Sequence, residues 1–191
     1  ANKAVLSLAI GLLSTAVLAD TTSLPLTDDA FILGVRPTSN YGAWDDIFVT
    51  SYGPKQGLVR FDAALIAGQD VNRATLSLYL NDIANAGTIS IHAITSSWSE
   101  STVTWDNQPP VEATATAVVD LATSDEGSLI SIDVTGAVER WADGSLADAG
   151  FLIVTSDNIK AYFDAQEKPG GIPATLDVDT GPPAYSGEAI V

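Results

Sequence analysis

Alternation between apolar and polar side chains is the dominant pattern along most of this chain. Residues 74–80 (ATLSLYL) place three leucines on one face of an extended strand and Thr75, Ser77 and Tyr79 on the other. Residues 89–94 (ISIHAI) alternate in the same way. Shorter apolar runs bounded by turn residues predict further strands at 30–33, 47–50, 58–61, 115–121, 129–134, 150–155, 161–165 and 174–178. Since each strand offers one face for burial, the pattern predicts an all-β, antiparallel, jelly-roll-like sandwich.

One short helix is predicted between two of these strands. Residues 133–142 (DVTGAVERWA) space Val134, Val138 and Trp141 at i, i+4 and i+7, which is one face of a helix. Either Thr135 or the aspartate that opens the segment is available as the N-cap. We therefore expect a helix packed against an open end of the sandwich.

A hydrophobic segment precedes the alternating region. Residues 4–19 (AVLSLAIGLLSTAVLA) carry no charge, follow Lys3 and end in small residues before Asp20, which is the pattern of a secretory signal. The segment is shorter than the roughly 20 residues of a bilayer-spanning helix. Export to the extracellular space or the cell surface is therefore expected, with membrane contact only through residues 4–19 if they are retained.

The same segment allows a second interpretation. Its large apolar residues alternate with Ser7, Ala9 and Gly11, as in a strand that completes a neighbouring subunit's sheet. The candidate donor residues are Leu6, Leu8, Ile10 and Leu12. The predicted organisation is residues 1–19 as an export signal or a retained donor or anchor, 20–180 as the sandwich and 181–191 as a linker-like tail.

The charge of the chain narrows the classes of partner. Eight Lys and Arg residues against 24 Asp and Glu give a net charge of −16, which repels the phosphates of nucleic acids. The absence of Cys excludes disulfides and zinc–thiolate sites. The single histidine, His92, leaves little for imidazole metal sites or catalytic triads. We expect no nucleic-acid partner.

Several short motifs occur in an order that resembles a known family. The most specific is residues 95–109 (TSSWSESTVTWDNQP); the others are Asp29-Ala30-Phe31, Asn40-Tyr41-Gly42, Arg60-Phe61-Asp62, residues 74–79, Asp133-Val134-Thr135 with Trp141, and residues 173–176. With these motifs the sequence resembles the DNRLRE family of secreted and surface proteins, which is related to alginate-type carbohydrate-binding modules. The resemblance implies an extracellular β-sandwich that binds polysaccharide, supports adhesion or builds surface structures.

The residues do not favour catalysis. The acidic pairs at 28–29, 45–46 and 125–126 are adjacent in sequence, and adjacent strand residues point to opposite faces, whereas glycosidases need two acids facing one site. The indoles of Trp98 and Trp105 suggest stacking on a sugar, but their seven-residue separation, with Val103 between them, favours a folded-over corner that closes the core. Glu100 is expected to accept hydrogen bonds from backbone N–H groups of its own turn. We predict no enzymatic activity.

Loop aromatics are better ligand candidates, because loops on a rigid scaffold usually carry recognition. The candidate carbohydrate-binding residues are Tyr41, Trp44, Tyr52 and Arg36, with Lys55 as a further cation that could meet acidic sugars. The acidic surface disfavours direct binding of a polyanionic sugar unless calcium bridges the two. Asp45 and Asp46 are the candidate calcium ligands, and no other cofactor is expected.

Two functions remain open at this point. The first is a non-catalytic structural or adhesive subunit that self-associates into an extracellular filament or matrix by N-terminal strand donation. The alternative is a free-standing secreted module that binds an extracellular polysaccharide. The alternating residues 6–12 favour the first function, and the loop aromatics favour the second.

Overall fold

The computed structural model describes residues 20–181, which form two packed layers of antiparallel strands. Within this range there are eleven strands and one α-helix: β1 (Asp20–Leu24), β2 (Leu26–Leu33), β3 (Asp46–Thr50), β4 (Lys55–Phe61), β5 (Val71–Asn85), β6 (Gly87–Ala93), β7 (Ala117–Leu121), β8 (Ser128–Asp133), α1 (Thr135–Ala142), β9 (Phe151–Val154), β10 (Lys160–Asp164) and β11 (Thr175–Thr180). Single turns of 3-10 helix follow β4 and β7, at Ala63–Ile66 and Thr123–Asp125. The predicted antiparallel sandwich with one short helix is confirmed.

The strands divide into two layers joined at one hairpin. One layer runs in the order β1, β11, β5, β10 and β3, and β8 also pairs with the long β5. The other contains β4, β9, β6 and β7 in order, with β2 paired to β4. The layers meet at the β3–β4 hairpin, through a single pairing of Thr50 with Lys55.

The main core lies between the two layers. The alternation in β5 is confirmed, because Leu76, Leu78 and Leu80 are each at most 1% exposed. They pack in one cluster with the fully buried rings of Phe61 and Phe163. Burying an aliphatic or aromatic side chain of this size contributes about 1.5–3 kcal/mol, so this cluster dominates the stability of the fold.

A second, smaller core lies on the outer side of β2 and β4. The segment after β6, which begins at Ile94, folds back over this side, and its apolar residues pack on the strands beneath. The cluster consists of Ala30, Ile32, Leu58, Ile94, Trp98, Val103, Ala149 and Leu152. Strand β2 is therefore buried on both sides, which explains why residues 30–33 are continuously apolar rather than alternating.

The helix matches its prediction closely. Val134, Val138 and Trp141 are buried as expected. The N-cap residue is Val134, which has no capping side chain, so neither Asp133 nor Thr135 occupies the predicted N-cap position. The carboxylate of Asp133 instead accepts hydrogen bonds from the backbone N–H and the hydroxyl of Thr135, at 3.0 and 2.6 Å. No helix in the described range is long or apolar enough to cross a membrane.

Some element boundaries differ from the predicted ones. Strand β1 was not predicted, since its residues DTTSL have little apolar character, and it forms because β11 pairs with its whole length. Strand β5 is fifteen residues long, and its extra residues pair with β10. The predicted strand donors Leu6, Leu8, Ile10 and Leu12, the signal-like residues 4–19 and the tail at 182–191 lie outside the described residues.

Candidate functional site

The loop Asn40-Tyr41-Gly42 is clamped to the corner that follows Trp98. The side-chain amide of Asn40 donates to the carbonyls of Glu100 and Val103, at 2.6 and 2.8 Å. Its oxygen accepts the N–H of Gly42 at 3.3 Å. These three hydrogen bonds fix the loop, so the ring of Tyr41 is held in one place.

The Trp98 corner is itself held by an ion pair. Arg60 donates to Asp28 through Nη2 and, at 2.9 Å, through Nε, and its Nη1 reaches the carbonyl of Trp98 at 3.0 Å. The other oxygen of Asp28 accepts the N–H of Glu100 at 3.2 Å. Burial alone would raise the pKa of Asp28, but the hydrogen bonds, that from Arg60 first among them, outweigh it and lower the pKa. The Arg-Phe-Asp and Trp-Ser-Glu motifs thus meet in one structural network.

Both tryptophans of this corner are structural. Trp98 is 8% exposed and donates its indole N–H to the carbonyl of Ala149 at 2.8 Å. Trp105 is half-buried against the same outer core. Glu100 does not cap its own turn, contrary to the prediction: among the described residues its carboxylate accepts a hydrogen bond only from the side chain of Gln166, at 3.1 Å.

Four aromatic rings form a continuous strip across β3, β10 and the preceding loop. We call this the aromatic strip; it consists of Tyr41, Trp44, Phe48 and Tyr162. Phe48 and Tyr162 are cross-strand partners with ring centroids 4.2 Å apart, and Trp44 follows at 6.5 Å from Phe48. The buried ring of Phe31 supports the strip, since it stacks on Tyr41 at 4.5 Å. The indole of Trp44 is 51% exposed, so an aromatic face is available to a ligand.

Two lysines lie beside the strip. The Nζ of Lys55 is 5.6 Å from the ring centre of Phe48, and the Nζ of Lys160 is 5.3 Å from that of Tyr162. Neither lysine forms an ion pair with a carboxylate within residues 20–181. Burial and then the neighbouring Lys160 lower the pKa of Lys55. A hydrogen bond with Tyr162 raises the pKa of Lys160, so this amine stays charged at neutral pH.

A shallow depression of about 390 Å³ lies next to Trp44 and Phe48, with Asp45 and Asp46 on its rim. Asp46 is already engaged, because one of its oxygens accepts from Asn81 and from Lys168, each at 2.7 Å. Asp45 is exposed. The surface therefore has a cationic side near the two lysines and a charge-neutralised side near Asp46.

The structure brings together only some of the predicted ligand residues. Tyr41 and Trp44 belong to the strip. Tyr52 is 86% exposed in the β3–β4 turn and makes no ring contact with the strip, and Arg36 makes no ion pair or cation–π contact with any described residue. The roles of Tyr52 and Arg36 in binding stay predictions.

Three further members of the site were missed from the sequence. Phe48 could have been found, because Ile47 and Val49 point inward and leave an aromatic residue on the outer face of the strand. Tyr162 and Lys160 carry the same signal in β10, but only the register with β3 shows that they adjoin Phe48.

The structure identifies one group of described side chains that could hold a metal ion. Carboxylate oxygens of Asp29, Glu100 and Glu167 lie within 4.8 Å of one another. Asp45 and Asp46, the predicted calcium ligands, are not part of this group, and their role stays a prediction.

Two other surface depressions, of about 510 and 500 Å³, lie on either side of Glu112. In the first, Glu112 is paired with Arg140 at 2.8 Å and Asp133 is bonded to Thr135, so both acids are occupied. In the second, Nδ1 of His92 lies 2.9 Å from the carbonyl of Glu112. Neither depression presents a free acid–base pair among its described residues.

Comparisons with known proteins agree with a binding module. The tRNA nuclease WapA of Bacillus subtilis (strain 168) is 29% identical over 160 residues, which cover 74% of this chain and 7% of that protein. The gellan lyase of a Bacillus species is 26% identical over 185 residues, which cover 93% of this chain and 8% of that protein. The chain thus spans less than a tenth of the length of either relative. A sequence profile of carbohydrate-binding module family 96 matches residues 20–176. Because this match covers most of the chain, including every strand but the end of β11, the chain belongs to carbohydrate-binding module family 96.

Proposed function

We propose that this module binds an acidic polysaccharide along the aromatic strip. The observation that carries the proposal is a pair of lysines, without carboxylate partners among residues 20–181, beside the half-buried rings of Phe48 and Tyr162 and in the same strip as the exposed indole of Trp44. This pair occurs in a chain whose net charge is −16. Sugar rings present apolar C–H faces that pack on aromatic side chains, and their carboxylates pair with lysine ammonium groups. Trp44 and Tyr162 would stack on the sugar, and Lys55 and Lys160 would meet its acids.

Several features support this proposal over the filament subunit. The family is one of carbohydrate-binding modules, and the relative named gellan lyase carries a polysaccharide in its name. The net charge counted against direct binding of an acidic sugar, but charges more than about 8 Å away are largely screened at physiological ionic strength, so the neighbouring charges decide. Lys55 and Lys160 supply two cations beside the strip, and Lys168 neutralises Asp46, while Asp45 and Asp82 are the nearby acids that oppose them.

The proposal also covers catalysis and export. We propose that the module itself is non-catalytic and is exported through residues 4–19. The narrower assignment to the DNRLRE family stays a prediction. The filament subunit also stays a prediction, since it rests on Leu6, Leu8, Ile10 and Leu12, which lie outside the described residues.

Affinity electrophoresis against alginate, polygalacturonate and hydroxyethyl cellulose would test the proposal. We expect at least one of the two acidic polymers to retard the chain. Calorimetry would then give the affinity for that polymer. Trp44→Ala and Tyr162→Ala should each weaken binding about tenfold or more, as loss of a central aromatic contact does. The double change Lys55→Gln and Lys160→Gln should remove the preference for acidic polymers.

Val118→Ala and Arg73→Gln are the matched controls, because both residues are exposed and neither belongs to the strip or to the predicted binding residues. They should bind like the unmodified chain, and thermal unfolding should show every variant folded. If no acidic polymer retards the chain, or if Trp44→Ala and Tyr162→Ala bind unchanged, the proposed surface is wrong.

A further inference from the structure

Three carboxylates from distant parts of the chain meet beside the Asn40 loop. Asp29 lies on β2, Glu100 on the corner after Trp98, and Glu167 on the segment after β10. Their ligand oxygens lie within 4.8 Å of one another. Such a meeting of like charges needs a reason, because each carboxylate raises the energy of the other two.

No basic side chain neutralises this cluster within residues 20–181. None of the three acids forms an ion pair, although the adjacent Asp28 is paired with Arg60. Among the described residues only Gln166 donates to the cluster, through its backbone N–H to Oδ2 of Asp29 at 2.8 Å and its side chain to Oε2 of Glu100 at 3.1 Å.

Two oxygens of the cluster accept no hydrogen bond from an N–H or hydroxyl donor among residues 20–181. Asp29 is only 1% exposed, and its Oδ1 has no such donor within this range. The Oε2 of Glu167 is likewise buried and unpartnered. A buried, unpaired carboxylate oxygen is costly and rare in folded proteins, so these two oxygens indicate a positively charged occupant.

Burial also makes these carboxyl groups harder to ionise when no cation is bound. Burial, followed by smaller contributions that include the neighbouring carboxylates, raises the pKa of Asp29 to about 7 and that of Glu100 to about 7. Protons and a cation would therefore compete for the same oxygens near neutral pH.

We propose that Asp29, Glu100 and Glu167 form a calcium site. The donors are all carboxylate oxygens, which hard divalent cations prefer. Oxygens within 4.8 Å of one another are close enough to share one Ca²⁺, whose bonds are about 2.3–2.6 Å, and Ca²⁺ accepts irregular arrangements of carboxylates more readily than Mg²⁺, which demands near-ideal octahedral geometry. Glu100 and Glu167 are only partly buried, so water can complete the coordination.

The bound ion would link three segments that the backbone leaves unconnected. The Glu100 segment is already tied to Asn40, and Lys168, next to Glu167, is bonded to Asp46 and Asp164. The ion would thus hold in place the two segments that support the aromatic strip, one around Glu100 and the other around Lys168. It would make no contact with a bound sugar. The site does not depend on whether that strip binds polysaccharide.

Calorimetry and thermal unfolding of the EDTA-treated chain, titrated with CaCl₂ or MgCl₂, would test the site. We expect one Ca²⁺ per chain with a dissociation constant on the order of 10⁻⁴ M, as in extracellular modules, and at least tenfold weaker Mg²⁺ binding. Calcium should raise the unfolding temperature by several degrees.

Glu100→Gln and Glu167→Gln should abolish the calcium-dependent rise. In EDTA both variants should be as stable as the unmodified chain or more stable, because each removes one repelling charge. Glu126→Gln, an exposed acid outside the cluster, and Asp45→Asn should keep the full response. No calcium response in the unmodified chain, or a response lost in Asp45→Asn but kept in Glu100→Gln, would overturn the proposal. Equal destabilisation of Glu100→Gln and Glu167→Gln with calcium and with EDTA would also overturn it, since that is the signature of a metal-free hydrogen-bond network.

Discussion

Gly42 lies where the fold has no room for a side chain. A Cβ at this position would lie 2.4 Å from the carbonyl oxygen of Glu100 and 2.5 Å from its Cγ. The φ angle of Gly42 is not positive, so the requirement is steric rather than conformational. Because Asn40 holds the same carbonyl, the contact cannot relax without releasing the loop that carries Tyr41.

Gly42→Ala should therefore destabilise the fold by about 1–3 kcal/mol, the usual cost of forcing extra volume into a packed site. Urea unfolding would measure the change. Gly136→Ala is the matched control, since a Cβ there meets nothing within 4 Å, and alanine in a helix should add about 0.5–1 kcal/mol. Equal stability of Gly42→Ala and the unmodified chain would contradict the close approach.

Asp164 is a nearly buried acid with three donors around it. Burial alone would raise its pKa, but hydrogen bonds from Lys168, the backbone N–H of Ile172 and Asn81 outweigh burial and lower the pKa below its ordinary 3.8. A lowered pKa in the folded state means that the carboxylate stabilises the fold above pH 3.8, and that this contribution is lost as the pH falls through the folded pKa.

Asp164→Asn should cost about 1–3 kcal/mol at pH 7, the usual effect of disturbing a buried hydrogen-bonded charge. As the pH falls below 3.8 the variant and the unmodified chain should converge in stability. Unfolding temperatures measured from pH 7 to pH 2.5 would show this. Asp45→Asn, at an exposed site, should track the unmodified chain throughout, and a constant gap for Asp164→Asn would refute the assignment.

Among the elements, the strands with one buried face were predictable and those with unusual surroundings were not. β5 alternates because only one of its faces packs on the core, and so its sequence predicts its structure. β1 is polar and forms because it pairs with β11. Its own residues carry no pattern that predicts this pairing.

The aromatic strip was only half predictable for the same reason. Tyr41 and Trp44 were predictable because they are aromatic residues in a loop rich in turn-forming residues. Phe48 and Tyr162 become neighbours only through the pairing of β3 with β10, which joins residues 114 positions apart. The Asp29 cluster was also missed, since its acids come from three segments and no spacing relates them.

Trp98, in the segment that covers the outer face of β2, and the exposed Trp44 should differ in their contributions to stability. Trp98→Phe should cost about 1–3 kcal/mol, because the buried carbonyl of Ala149 loses its donor. Trp44→Phe should change the stability by less than about 0.5 kcal/mol, as is usual at an exposed site. Urea unfolding gives both values, and alginate or polygalacturonate retardation should survive Trp98→Phe. Loss of binding by a stable Trp98→Phe protein would place this indole in the ligand site instead.

Across the described part of the molecule, some basic side chains form ion pairs and others lie beside the aromatic strip. Arg60, Arg140 and Lys168 neutralise carboxylates and hold segments together. Lys55 and Lys160 lie beside the rings of the aromatic strip and form no ion pair with a described carboxylate. The net charge of −16 is therefore a poor guide to what any one part of the surface can bind.

The pairing of β1 with β11 also determines how the module responds to force. Asp20 pairs with Thr180, so the chain enters and leaves the sandwich side by side at one edge. Tension applied to these two ends would break the β1–β11 hydrogen bonds one after another, starting at the Asp20–Thr180 pair, so β1 would separate from β11 first. The aromatic strip lies on β3 and β10, beyond β5 from that edge. Separation of β1 from β11 would therefore leave the pairing of β3 with β10, and with it the aromatic strip, intact.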